Sequence, residues 1–114
     1  MATMLLQLMN AVSLTALAKG PATLLNVTPF EGGRRRNALL DMDAAPAGGG
    51  VITIEGSTND IHTTPGASDP SWTTVVVLNA ASPLEQEIQL PQWIRYNITT
   101  IGTGTANVRL NGVQ

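Results

Sequence analysis

Gly48-Gly49-Gly50-Val51-Ile52-Thr53-Ile54-Glu55-Gly56-Ser57-Thr58-Asn59-Asp60 decides the fold class of this chain. Ile52 and Ile54 fall on one side of an extended backbone and Thr53 and Glu55 on the other, which is the two-residue period of a half-buried strand. The three glycines before this run, and Gly56 to Asp60 after it, are turn residues, because Gly and Asn tolerate positive φ.

The same alternation continues outward. Ile88 and Leu90 alternate with Glu87 and Gln89, and after Pro91 the residues Ile94, Tyr96 and Ile98 alternate with Arg95, Asn97 and Thr99. Gly102-Thr103-Gly104 then turns the chain into a last strand, with Ala106, Val108 and Leu110 inward and Asn107, Arg109 and Asn111 outward. Thr73 to Leu78 is an unbroken, largely β-branched run, expected to be covered on both faces or to lie in an interface. Between these strands, Thr58 to Ser71 has no apolar period and contains Pro65, Gly66 and Pro70, so it is predicted to be a long exposed loop. Towards the N-terminus, Ala22 to Val27 and Arg36 to Met42 are expected strands flanking a Thr28 to Gly33 loop. About seven or eight short strands without crossover helices predict an all-β protein, an antiparallel jelly-roll-like β-sandwich.

Composition agrees with this class. The chain has 114 residues, enough for one domain; 43% are hydrophobic and only 12% charged, with 11 Gly and 7 Pro. A net charge of −2 gives no reason to expect nucleic acid or an anionic membrane as partner. With no cysteine, disulfides, thiolate metal sites and a cysteine nucleophile are excluded, although the compartment is not.

Residues 1–18 read as an N-terminal arm and possible first strand, and residues 19–114 as the sandwich domain. Met4 to Ala18 superficially resembles a signal peptide, but no Lys or Arg precedes it, and Gln7, Asn10, Ser13 and Thr15 interrupt it, so it is read as mature protein. It is also too short and too polar to span a bilayer. Leu5, Leu8, Met9, Val12 and Ala16 fit helical spacing, whereas Val12, Leu14 and Ala16 alternate; the arm-plus-strand reading is preferred. Leu5, Leu6, Leu8 and Met9 would leave a sizeable apolar patch in water, so a partner or neighbouring subunit is expected to cover them.

Two segments carry a family resemblance. Val51 to Ser57, a loop, then Ser71-Trp72 and a β-branched strand resemble a β-sandwich domain recurrent in tailed-bacteriophage structural proteins. Trp93-Ile94-Arg95-Tyr96-Asn97-Ile98-Thr99 followed by Gly102 to Gly112 resembles that family's closing hairpin. The similarity spans roughly residues 48 to 114, and Asn59-Asp60 with its Pro-rich continuation departs from the family's Asp-Gly turn. The resemblance implies a virion component: a capsid decoration (cement) protein, which is the leading reading and favours the capsid surface, a head-tail or tail accessory protein, or a baseplate or fibre module. Its expected partners are the major capsid protein or other virion subunits, and further copies of itself in a homo-oligomer, a trimer being favoured, with no nucleic acid and no membrane.

No residue is assigned to catalysis, cofactor or metal. His62, the lone histidine, could join Asp60 or Asp69 and a serine in a triad, but it lies in the polar loop and no Gly-x-Ser-x-Gly elbow exists. Asp41-x-Asp43 and Glu85-x-Glu87 could hold a hard cation, yet neither runs into a ligand-dense loop, and charges guarding a strand edge are the simpler reading. Arg34-Arg35-Arg36 is the one basic cluster and would answer an acidic surface on a neighbour, against the alternative of a solvated loop. Trp72 and Trp93 could stack on sugar rings as in a carbohydrate-binding or receptor-recognising module, for which both would have to be exposed on one surface. Asn26-Val27-Thr28 and Asn97-Ile98-Thr99 match the glycosylation sequon and are read as chance. The interface candidates are therefore Leu5, Leu6, Leu8, Met9, Arg34, Arg35, Arg36 and Trp72.

Overall fold

The structure is a computed structural model that describes residues 3–25, 30–31, 34–35 and 37–112, with side-chain surroundings for residues 6–25 and 37–112. Asn26, Val27 and Arg36 lie outside the described residues.

Strand β1 (Thr3–Ser13) is followed by β2 (Ala18–Lys19), β3 (Thr23–Leu24), β4 (Phe30–Glu31), β5 (Arg34–Arg35), β6 (Asn37–Met42), β7 (Val51–Ser57), β8 (Thr73–Leu78), β9 (Glu85–Gln89), β10 (Trp93–Thr100) and β11 (Thr105–Gly112). One antiparallel sheet has the order β1-β11-β6-β9; the other has β2-β10-β7-β8, with β3 also on β10, and β4-β5 is a separate two-stranded hairpin. β2 and β3 act as one broken strand along β10, since Gly20 N donates to Tyr96 O (2.8 Å) and Leu25 N to Gln92 O (2.9 Å). Pro21 sits in the break, where no ladder donor is needed. Leaving out the β4-β5 hairpin, and apart from β2 to β3 and β7 to β8, successive strands lie in opposite sheets. That alternation gives the jelly-roll order expected from the sequence.

The core is what the alternation dictates. Leu40, Ile52, Ile54, Leu78, Ile94, Ile98, Val108 and Leu110 are buried between the sheets, each burial stabilising by about 1.5–3 kcal/mol. Among the described residues, no buried side-chain nitrogen or oxygen lacks a hydrogen-bond partner.

Several expectations are corrected. The N-terminal segment is extended and holds a first strand, as expected, but the strand takes up most of it: β1 is an outer strand paired with β11 through three register shifts, and Ala11 takes a φ of 50°. Gly56 is not a turn residue but lies inside β7, where a Cβ would meet Pro91 at 2.6 Å, so only glycine allows that approach. β10 and β11 are not a hairpin, because β10 pairs with β7 and β11 with β1 and β6. β8 is not covered on both faces: it is the outer strand of its sheet, and Thr73, Thr74 and Val77 are exposed. Finally, Thr58 to Ser71 is not simply exposed, since Pro65 is buried.

Candidate functional site

The sequence-derived interface residues scatter. Met9 is wholly buried in the core and Leu6 and Leu8 pack against it, so Met9 has no surface to offer and the other two are already half covered. The bulges of β1 explain this, since each register shift swaps the side chain that faces inward. Leu5 lies within β1 and Arg34 and Arg35 form β5, but the described side chains do not include theirs.

Trp72 belongs to a different construction. The 58–72 loop folds back over the outer face of the β7-β10 sheet and builds a second, smaller core there. The Trp72 indole Nε1 donates to Gly66 O (2.8 Å) and the Trp93 Nε1 to Asn59 O (3.2 Å). Beneath the loop, Arg95 Nε donates to Glu55 Oε1 at 2.7 Å, with the two side chains only 4% and 16% exposed. The Arg95 Nη1 donates to Ala67 O (2.9 Å), and its guanidinium lies over the Trp72 ring, 4.1 Å from the centroid, a cation–π contact. Ser57 and Ser71 hydroxyls join the two layers at 2.6 Å. With Trp93 buried and one face of Trp72 occupied by Arg95, the exposed pair of indoles that a sugar-stacking platform needs is not formed.

The acidic pairs behave differently from one another. Glu85 and Glu87 are exposed on outer strand β9. Asp41 instead lies on interior strand β6, where Arg109 Nη2 donates to it (2.9 Å) and also to Asp43; both acids are ion-paired rather than guarding an edge. The Arg109 hydrogen bond lowers the Asp43 pKa, and the two acids raise that of Arg109. No group of three metal-ligating side chains occurs among the described residues. His62 is exposed, and its backbone N donates to Asp60 Oδ1 (2.7 Å) in an Asx turn. Among the described residues no hydrogen bond joins its imidazole to a carboxylate or hydroxyl.

The surface that the sequence did not single out is one end of the sandwich. The ladder registers bring four connections together there: residues 14–17, 43–50, 79–84 and 101–104. They are tied by Leu14 N to Gly104 O (2.9 Å), Gly102 N to Leu14 O (2.8 Å), Met42 N to Leu84 O (2.8 Å) and an Ala47–Thr103 bridge. The one charged residue of these segments is Asp43, which is paired with Arg109. Leu17, Ile101 and Leu84 are 63%, 51% and 49% exposed on them. The connection that carries Asp60 and Asp69 leaves β7 and enters β8 at the opposite end. Such segments, well apart in sequence, look unremarkable singly; each is legible as Ala-, Gly- or Leu-rich, but only the topology joins them.

Along one side, outer strands β8 and β9 of the two sheets border an open groove of about 420 Å³, lined by Thr73 to Val76, Gln86 to Gln89, Gly56, Thr58 and Pro91. Comparison of the chain with known protein families, curated proteins and solved structures finds no match.

Proposed function

We propose that the protein is a virion structural component of a tailed bacteriophage, a capsid decoration protein that stabilises the head by bridging capsid subunits through its apolar end. The observation that carries this reading is that end itself, where Leu17, Leu84 and Ile101 stand exposed on three of the four connections and the one charge, Asp43, is paired with Arg109. A neutral apolar face fits a protein surface better than nucleic acid or an anionic bilayer, both of which reward cationic charge. The jelly-roll order supports the virion reading by fold-level analogy, because that architecture serves in viral capsid proteins. A small end face buries little area per contact, so attachment depends on many repeated contacts on one shell. The resemblance favours a trimer, with Leu5, Leu6, Leu8 and Met9 as expected contacts; Met9, in the core, offers no surface for it.

Co-sedimentation of the purified chain with phage heads stripped of accessory proteins tests the proposal. Saturable binding is expected, and loss of it in a Leu17→Glu, Ile101→Glu double variant that melts like the parent. No binding to any head, or equal binding by the double variant, would overturn it.

A further inference from the structure

We propose that the edge of β8, unpaired among the described residues, is a self-docking surface, on which a second copy of this chain pairs its own β8 antiparallel across a twofold axis.

A strand at the edge of a sheet presents unpaired N–H and C=O groups, and stable folds blunt such edges with charges, bulges, proline or brevity. Three of the four outer strands here are blunted. β1 has three register shifts and a positive φ at Ala11. β9 carries exposed Glu85 and Glu87, and β2 and β3 are two residues each, separated by Gly20, Pro21 and Ala22. β8 is six residues long, uncharged and free of proline, with one register shift in its pairing with β7.

The choice of a second copy as occupant follows from register. Val76 and Leu78 lie opposite Ile54 and Ile52 and face the core, whereas Thr74 and Val77 lie opposite Glu55 and Thr53 on the outer face. Setting Val75 against Val76 of the other copy brings Thr74 against Val77 and Thr73 against Leu78. Outer residues then meet outer and inner meet inner, which a continuous sheet requires. Neutral β-branched residues face one another with no like-charge cost, and Val77, 43% exposed in the single chain, is covered. β9–β9 pairing would instead oppose glutamates. In the β8 pair the two β9 strands flank the twofold, but Glu85 and Glu87 are exposed, so salt screens their repulsion. The contact is isologous and closes at two copies.

Native mass of the full chain across a dilution series tests the pairing, with Val77→Lys and Leu17→Lys compared and each checked for an unchanged melting temperature. A dimer is expected for the parent and for Leu17→Lys, with dissociation at least about tenfold easier for Val77→Lys. Hydrogen exchange of the β8 amides should slow as concentration rises. A monomer throughout, a trimer, or a Val77→Lys dimer as tight as the parent would overturn the proposal. Pairing through β8 requires no virion, so a dimer that ignores phage heads would sink the decoration reading and leave this one standing.

Discussion

Arg95 is the residue on which the outer layer of the molecule depends. Its alternation along β10 points it away from the core, yet the 58–72 loop seals it from water against Glu55, Trp72 and the Ala67 carbonyl. Replacing Arg95 with Ala leaves the Glu55 carboxylate sealed without its partner, at an expected cost of about 3–5 kcal/mol, read from the denaturant midpoint. Glu55→Gln keeps an acceptor for Arg95 and should lose less. Acid acts on two other residues. Asp43 accepts from Arg109, and Asp69 accepts from the backbone N of Ser71 and from its hydroxyl; both carboxyls are held below their usual value of 3.8. The unfolded chain therefore binds protons more readily than the folded one. The stability from these two groups is whole above about pH 4 and drains as pH falls below it. Unfolding midpoints taken from neutral pH down to about pH 3 should fall at the acid end, and less so for Asp43→Asn.

At the level of elements, the connection 101–104 shows how tightly the apolar end is built. A Cβ at Gly102 would meet Ala47 O at 2.4 Å and Gly50 Cα at 2.7 Å, both backbone atoms that cannot rotate away. Gly102→Ala should destabilise by about 1–3 kcal/mol, whereas Gly66→Ala, with open space around it, should be neutral or slightly stabilising; thermal melting of the two variants separates these outcomes. Strands with a clean period were legible in the sequence: Ile52 and Ile54, Ile94 and Ile98, and Val108 and Leu110 all face the core as their alternation requires. β1 was harder, because its register shifts break the period that marks a strand, and Leu5, Leu8 and Met9 then mimic a helix. The cover over Arg95 was illegible for another reason. Polar loops carry no period, so nothing local in residues 58 to 72 announces that Pro65 and Trp72 fold back onto a sheet. The apolar end was readable only as four separate segments.

For the molecule as a whole, the 58–72 loop joins neighbouring strands β7 and β8 of one sheet, so the jelly-roll topology does not require its length; a short hairpin would connect them. What the length supplies is a third layer over half of one sheet. Replacing residues 60–70 with a short Gly-Ser connection should therefore leave the strand order intact and expose Trp93, Arg95 and Glu55 together. The lost burial of Trp93 and of the ion pair it flanks is worth about 2–4 kcal/mol, enough to lower the melting temperature clearly while far-ultraviolet circular dichroism keeps its β signature. Tryptophan emission should shift to the red as the indole becomes solvated. The apolar end lies away from this layer, so head binding through Leu17 and Ile101 should survive the replacement below its melting temperature. If binding were lost while the β signature remained, the contact would belong to the loop and not to the four connections of that end.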